Sequence, residues 1–454
     1  VEGGSTWDEI VLLAKAIEKA GATLINTGIG WHEARIPTIA TKVPRAAFTK
    51  VTAKLKGEVN IPLITTNRIN TPEVAEQVLA EGDADMVSMA RPFLADPEFV
   101  NKAAAGHSER INTCIGCNQA CLDHTFSGKL TTCLVNPRAC YETELNYIPT
   151  TAVKKIAVVG AGPAGLAAAT VAAERGHQVT LFDAASEIGG QFNVAKRVPG
   201  KEEFYETLRY FQNRLEETGV EVRLNTRATA EALLAGGFDE IILATGIVPR
   251  TPEIPGIDHP KVIGYLDAIL ERKPVGQRVA VIGAGGIGFD VSEYITHDGQ
   301  STSLDREAFW KEWGIDLGLS VRGGIAGIQP APHAPKRQVY LLQRKKSKVG
   351  NGLGKTTGWI HRTGLKNKHV QMLNSVEYLQ IDDAGLHIRV GEGEPQVLPV
   401  DTVILCAGQE PLRELQQTLE AAGARVHLIG GADVAAELDA KRAINQGCRL
   451  AAAL

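Results

Sequence analysis

A glycine turn between an apolar strand and an alanine-rich helix constrains this chain more than any other feature. Residues 156–159 (I-A-V-V) run straight into G-A-G-P-A-G, and helical spacing follows to about residue 175. In this run Gly160 permits a tight turn, Gly162 lets the backbone approach a pyrophosphate, and Gly165 allows close helix packing. The free N–H groups and dipole of a helix amino terminus favour negative charge there. Asp183 closes the next strand, 178–182, where a carboxylate accepts a hydrogen bond from a ribose hydroxyl. Strand, turn, helix, strand and acid in that order predict a dinucleotide-binding βαβ unit.

The motif recurs. Residues 278–282 lead into Gly283, Gly285 and Gly288, but no acid follows at the usual distance. A polar, glycine-containing insertion (about 297–335) intervenes before the strand 338–342, which ends in Gln343-Arg344-Lys345-Lys346. Basic residues where an acid would hold the 2′-hydroxyl suit a 2′-phosphate, so Arg344 and Lys345 predict a preference for NADPH. A last strand at 402–406 precedes a loop that reaches Asp433. Two dinucleotide folds, the second inserted in the first, account for this order: 154–270 with 396–454, and 271–395 between them. The run 350–356 (G-N-G-L-G-K-T) imitates a triphosphate-binding loop, but its glycines are one residue too close.

Four cysteines, Cys114, Cys117, Cys121 and Cys133, stand at C-x2-C-x3-C-x11-C. Zinc sites usually pair two C-x2-C knuckles or include His, whereas four thiolates in this order suit a [4Fe–4S] cluster. Both metals stay open on spacing alone. Cys140 is a spare, and His124 is an alternative fourth ligand.

The first hundred residues alternate helix (7–20, 47–56, 72–81) with short apolar strands (22–26, 62–66, 85–89), the pattern of parallel strands covered on both faces. Polar residues gather just after each strand, His32 after the first, Arg68 after the second, Ala90 and Arg91 after the third. In a (β/α)8 TIM barrel that is the end where active sites sit, and its last strands commonly bind a phosphate. His32 is therefore the candidate catalytic residue. Three strands cannot close a barrel, so about five βα units, roughly 200 residues, are expected to precede Val1. The expected division is 1–104 for this carboxyl-terminal part of the barrel and 105–153 for an iron–sulfur segment and linker.

Composition limits the partners. With 454 residues, 44% apolar, 22% charged and a formal net charge of -4, nothing offers a nucleic-acid surface. No apolar run of membrane-spanning length is unbroken by polar or turn-forming residues, and no signal peptide opens the chain. Seven cysteines, four of them at ligand spacing, predict a reducing compartment, the cytoplasm, and metal ligation rather than disulfides.

Longer stretches carry a resemblance. G-I-G-W-H-E-A-R-I-P-T, T-T-N-R-I-N, D-M-V-S-M-A-R-P-F-L-A-D, N-T-C-I-G-C-N-Q-A-C, V-V-G-A-G-P-A-G-L-A, S-E-I-G-G-Q-F-N and G-L-G-K-T-T-G-W-I-H-R resemble the bacterial 2,4-dienoyl-CoA reductases, relatives of trimethylamine dehydrogenase and the enoate reductases. The resemblance implies FMN in the barrel with Arg68, Ala90 and Arg91 on its phosphate, and [4Fe–4S] on the four cysteines. It implies FAD on Gly160, Gly162, Gly165, Asp183, Gln191 and Asp433, and NADPH near Gly283, Gly285, Gly288, Arg344 and Lys345. It further implies that His32 assists protonation of a 2,4-dienoyl-CoA thioester, in the order NADPH, FAD, cluster, FMN, substrate.

Overall fold

A computed structural model of the chain describes residues 1–30, 34–436 and 439–454. The candidate catalytic His32 lies outside the described residues. At the amino end, strands Ile25–Asn26, Leu63–Thr65 and Met86–Val87 form a three-stranded parallel sheet in chain order. Helices Trp7–Lys19, Thr49–Leu55 and Pro72–Ala80 connect and flank them. Thr6 caps the first helix with a full capping box to Glu9, and Thr71 caps the third with Pro72 at its first position. The strands are shorter than the sequence suggests, but their order is the expected one.

The first nucleotide fold is a five-stranded parallel sheet. Its order is Val426–Leu428, Glu240–Leu243, Lys155–Val159, Gln178–Phe182, Glu221–Arg223. Helix Pro163–Glu174 is buried almost all round because the carboxyl-terminal helix Ala440–Ala453 lies against it. A Cβ at Gly447 would stand 2.4 Å from the Ala164 carbonyl oxygen, so small residues on both helices set the close approach. That packing, not lipid, explains the alanine-rich run. Among the described residues no helix is long and apolar enough to cross a membrane.

The second fold repeats the plan: Gln371–Leu373, Gln338–Leu342, Arg278–Ile282, Thr402–Leu405, Val262–Gly264, all parallel. A three-stranded antiparallel sheet, Val376–Asp382, Gly385–Val390 and Gln396–Leu398, packs on it. This corrects the expected boundaries of 271–395. Strand Thr402–Leu405 pairs with Arg278–Ile282, not with the first sheet, and Val262–Gly264 pairs with Thr402–Leu405 in turn. The chain crosses between the two folds where Ile247–Pro249 and Gln409–Pro411 form an antiparallel ribbon, so the second fold occupies about 250–408. An apolar strand carries no mark of which parallel sheet it joins, and the turn after it looked the same in both.

The insertion also differs from its polar reading. Asp305 caps a helix, Arg306–Trp313, that buries Phe309, Trp310 and Trp313 against Ile36, Val43 and Phe48 of the amino-terminal segment. The Trp310 indole N–H donates to the Ala47 carbonyl at 2.9 Å. The second nucleotide fold is thereby fastened to the amino-terminal sheet.

Candidate cofactor sites

Both glycine turns are built alike, atom for atom. Gly160 has φ +110°, and a Cβ there would stand 2.3 Å from the Ala244 carbonyl oxygen. Gly283 has φ +109°, with the Cys406 carbonyl oxygen at 2.2 Å from the same point. In each turn the third glycine, Gly165 or Gly288, passes 1.8 Å (from an added Cβ) from the carbonyl oxygen of the first. The middle glycines, Gly162 and Gly285, face open space. That is where a pyrophosphate would approach the amino end of helix Pro163–Glu174 or Gly286–Thr296.

The turns part company at the end of the next strand. Asp183 accepts from the Ala161 N–H at 2.6 Å and the Ala185 N–H at 2.8 Å, which holds its carboxylate across the first turn. Arg344, Lys345 and Lys346 occupy the equivalent place in the second and are exposed. Gln343 braces that bend by donating to the Lys345 and Ser347 carbonyls. The two folds meet at a seam, where the buried Tyr265 donates to Gln191 Oε1 at 3.2 Å and Gln409 donates to the Tyr265 oxygen at 3.4 Å. Asp433 ends the turn Gly430–Ala432, which packs against Ala164 of the first glycine-turn helix, and its carboxylate accepts from Gln446 at 2.6 Å.

Cys114, Cys117, Cys121 and Cys133 line one small cavity, walled by Ile115, Leu134 and Val135. Three of the sulfurs pack against the core of the first nucleotide fold. Burial, then the neighbouring thiols, push the Cys117 thiol well up and Cys133 to about 12. Four thiolates gathered in apolar surroundings need positive charge among them. Among the described residues no three ligand groups are drawn together as one ion requires. The four thiols share one small, mainly apolar cavity, a donor set that suits either metal centre left open by the spacing. His124 is not in the wall: its ring bonds the Leu130 carbonyl at 3.0 Å and faces Lys441. Cys140 is exposed and apart.

The Arg68 guanidinium is buried, donating to Glu203 at 2.6 Å and to the Val43 carbonyl at 2.8 Å, and it lines a cavity with Arg45. Burial opposes ionisation of Glu203, yet Arg68 and Arg45 hold its carboxyl at about 2. Arg91 donates to Asn118 and lines the thiol cavity, next to the exposed Ala90. Sequence reasoning missed Glu203 and its counterpart Glu293, which bonds Lys42 and Lys368 at 2.7 Å each. Against burial, those lysines keep the Glu293 carboxyl well below the usual range. Glu203 stands just before helix Phe204–Thr218 and Glu293 inside Gly286–Thr296, places where a glutamate reads as solvated, and only tertiary contact reveals them. Trp310 and Trp313, three apart in an otherwise polar stretch, were a usable signal of the insertion's packing face.

Comparison with known proteins agrees with this architecture. Residues 154–442 match the pyridine nucleotide-disulphide oxidoreductase family, and residues 2–110 match the NADH:flavin oxidoreductase / NADH oxidase family. The chain is 37% identical over 442 residues to a metal reductase of Desulforamulus reducens, covering 95% of this chain and 64% of that protein. It is 30% identical over 450 residues to a bilirubin reductase of Mediterraneibacter gnavus, covering 98% and 64%. A structure of 2-naphthoyl-CoA reductase with 2-naphthoyl-CoA superposes with a TM-score of 0.87 at 28% identity, over 100% of this chain and 64% of that one. The chain thus spans just under two thirds of the length of these relatives. It belongs to the pyridine nucleotide-disulphide oxidoreductase family, joined to an amino-terminal segment of the NADH:flavin oxidoreductase type.

Proposed function

We propose that this chain is the electron-input part of an NADPH-dependent flavoenzyme that reduces a 2,4-dienoyl-CoA thioester. When bound, NADPH supplies hydride, FAD and FMN exchange electrons singly or in pairs, and a [4Fe–4S] cluster carries one at a time. The chain's own residues organise that sequence. Gly160, Gly162 and Gly165 with Asp183 would hold FAD, with Gln191 and Asp433 at its edges. Gly283, Gly285 and Gly288 would hold NADPH, with Arg344 and Lys345 on the 2′-phosphate. Cys114, Cys117, Cys121 and Cys133 would hold the cluster between the first nucleotide fold and the amino-terminal sheet. Arg68, which also pairs with Glu203, and Ala90 with Arg91 beside the thiol cavity would hold an FMN phosphate. His32 is proposed to assist protonation next to the thioester carbonyl, where negative charge develops.

The observation that carries this reading is adjacency in space. The four-thiol cavity packs on the core of the first nucleotide fold, whose turn ends in Asp183. Tyr265 with Gln191 joins that fold to the second, so the three sites are neighbours as a relay needs. The relatives named above include reductases of a metal, of bilirubin and of an aromatic CoA thioester. A shared input with different acceptors is what such a set supports, and the CoA relative favours the thioester here. Anaerobic addition of NADPH should bleach the bound flavin, and iron analysis should find about four irons, the count of a [4Fe–4S] cluster. One equivalent of zinc, or bleaching by NADH alone, would overturn the assignment.

A further inference from the structure

Where the loop after the first strand meets the second nucleotide fold, a cavity of about 470 Å³ lies open. Three distant parts of the chain build it: Ala34 and Arg35, then Phe126 from the cysteine segment, then Lys355, Trp359 and Thr363. Among the described residues no carboxylate lines it, and Arg35 and Lys355 are both exposed. The Trp359 ring is held edge-on to Trp313 at 6.1 Å, so one wall is a fixed aromatic surface. Lys355 is fixed as well. It donates to the Phe126 carbonyl, which uses one of its three N–H bonds. The next residue, Thr356, donates to Asp123 twice, from its N–H at 2.8 Å and its hydroxyl at 2.6 Å. The glycine-rich run 350–356, which fails as a triphosphate loop, thus acts as a clasp that sets a cation on the cavity's rim.

A second cavity of about 700 Å³ shares Ala34 and Arg35 with the first. It begins at Gly28, Ile29 and Gly30, directly after the first strand, and is walled by Phe48, Trp310 and Ile325. An apolar body in the larger space would pass Arg35 to reach the smaller one.

We propose that the smaller cavity receives the nucleotide end of a coenzyme A thioester, with phosphates on Arg35 and Lys355 and the adenine ring against Trp359. This rests on the thioester reading above and adds its recognition site. Two exposed basic side chains beside a fixed aromatic wall match phosphates joined to a base, since a base stacks on an aromatic side chain. The other nucleotide in the account, NADPH, has its own turn.

Calorimetric titration of the intact protein with coenzyme A, ATP and pantetheine tests this. Coenzyme A should bind at least tenfold tighter than pantetheine or ATP, and less tightly as salt rises. Trp359→Ala, and Arg35→Ala with Lys355→Ala, should each weaken it tenfold or more while flavin content holds. Trp359→Phe, which keeps the packing against Trp313, should stay within about threefold of the parent, since it retains an aromatic face. Equal binding of coenzyme A and pantetheine, unchanged binding in the variants, or equal binding of ATP would each overturn the proposal. A protein bleached by NADPH that ignores coenzyme A defeats this inference alone. One that binds coenzyme A but is not bleached defeats the electron-input reading instead.

Discussion

The two glycine turns share a backbone and differ in charge at one place. Gly160 and Gly283 have nearly the same φ, each passes a carbonyl oxygen of a neighbouring strand end, and the third glycine of each crosses the first at the same distance. Each sheet sets the strand that leads into its glycine turn in the centre, with the next two strands of the chain on one side. At the end of the second strand, however, one fold presents Asp183 and the other Arg344 and Lys345. In the function proposed above, this shared backbone receives a pyrophosphate and the strand-end residue selects which ribose it carries. The folds also dock alike. Each uses a buried glutamate between two cations, Glu203 with Arg45 and Arg68, Glu293 with Lys42 and Lys368.

Breaking the shared backbone should have the largest effect. Gly165→Ala places a Cβ 1.8 Å from a backbone oxygen, and so does Gly288→Ala. The first should abolish flavin binding, seen as loss of visible absorbance. The second should leave flavin in place and abolish NADPH binding by titration. If each variant loses both nucleotides, the folds are not independent sites.

The docking glutamates come next. Glu203→Gln or Glu293→Gln leaves cations buried without a counter-charge and should cost about 3–5 kcal/mol in denaturant unfolding. The folded Glu203 carboxyl, at about 2, lies below its unfolded value of about 4.3. Its contribution is full above the unfolded value and is lost as pH falls toward about 2. Glu203→Gln should flatten that acid limb, and a limb of unchanged steepness would show that Glu203 does not cause it.

The smallest expected change sharpens the comparison from the acid side. Asp183→Asn keeps one acceptor and the turn but loses the charge, so FAD should bind a few-fold more weakly, about 1 kcal/mol. Equilibrium dialysis of flavin measures it, and unchanged retention would remove Asp183 from the site.

How much of this was legible in the sequence follows from range. The glycine turns, Asp183, the basic strand end and the thiol spacing are local, because each needs residues close in the chain. The fate of Thr402–Leu405 was not local. A fully apolar strand fits the interior of either sheet, and only pairing with Arg278–Ile282 decides. The partner of Arg68 was hidden for a related reason: Glu203, with which it pairs, lies 135 residues on. Tyr265 and Glu293 gave no sign at all, since a helical tyrosine or glutamate becomes a seam or an anchor only by tertiary contact.

The central claim is that the strand-end charge, on an otherwise repeated backbone, assigns the second turn to NADPH. Binding of 2′,5′-ADP and of 5′-AMP, compared by calorimetry in the parent and in Arg344→Ala with Lys345→Ala, tests it most directly. Charge-assisted bonds of about 1.5–3 kcal/mol predict that 2′,5′-ADP binds about ten- to a hundredfold tighter in the parent. In the double variant that gap should close, with 5′-AMP affinity and flavin content unchanged. A gap that persists without both basic residues, or that is absent in the parent, would contradict the account.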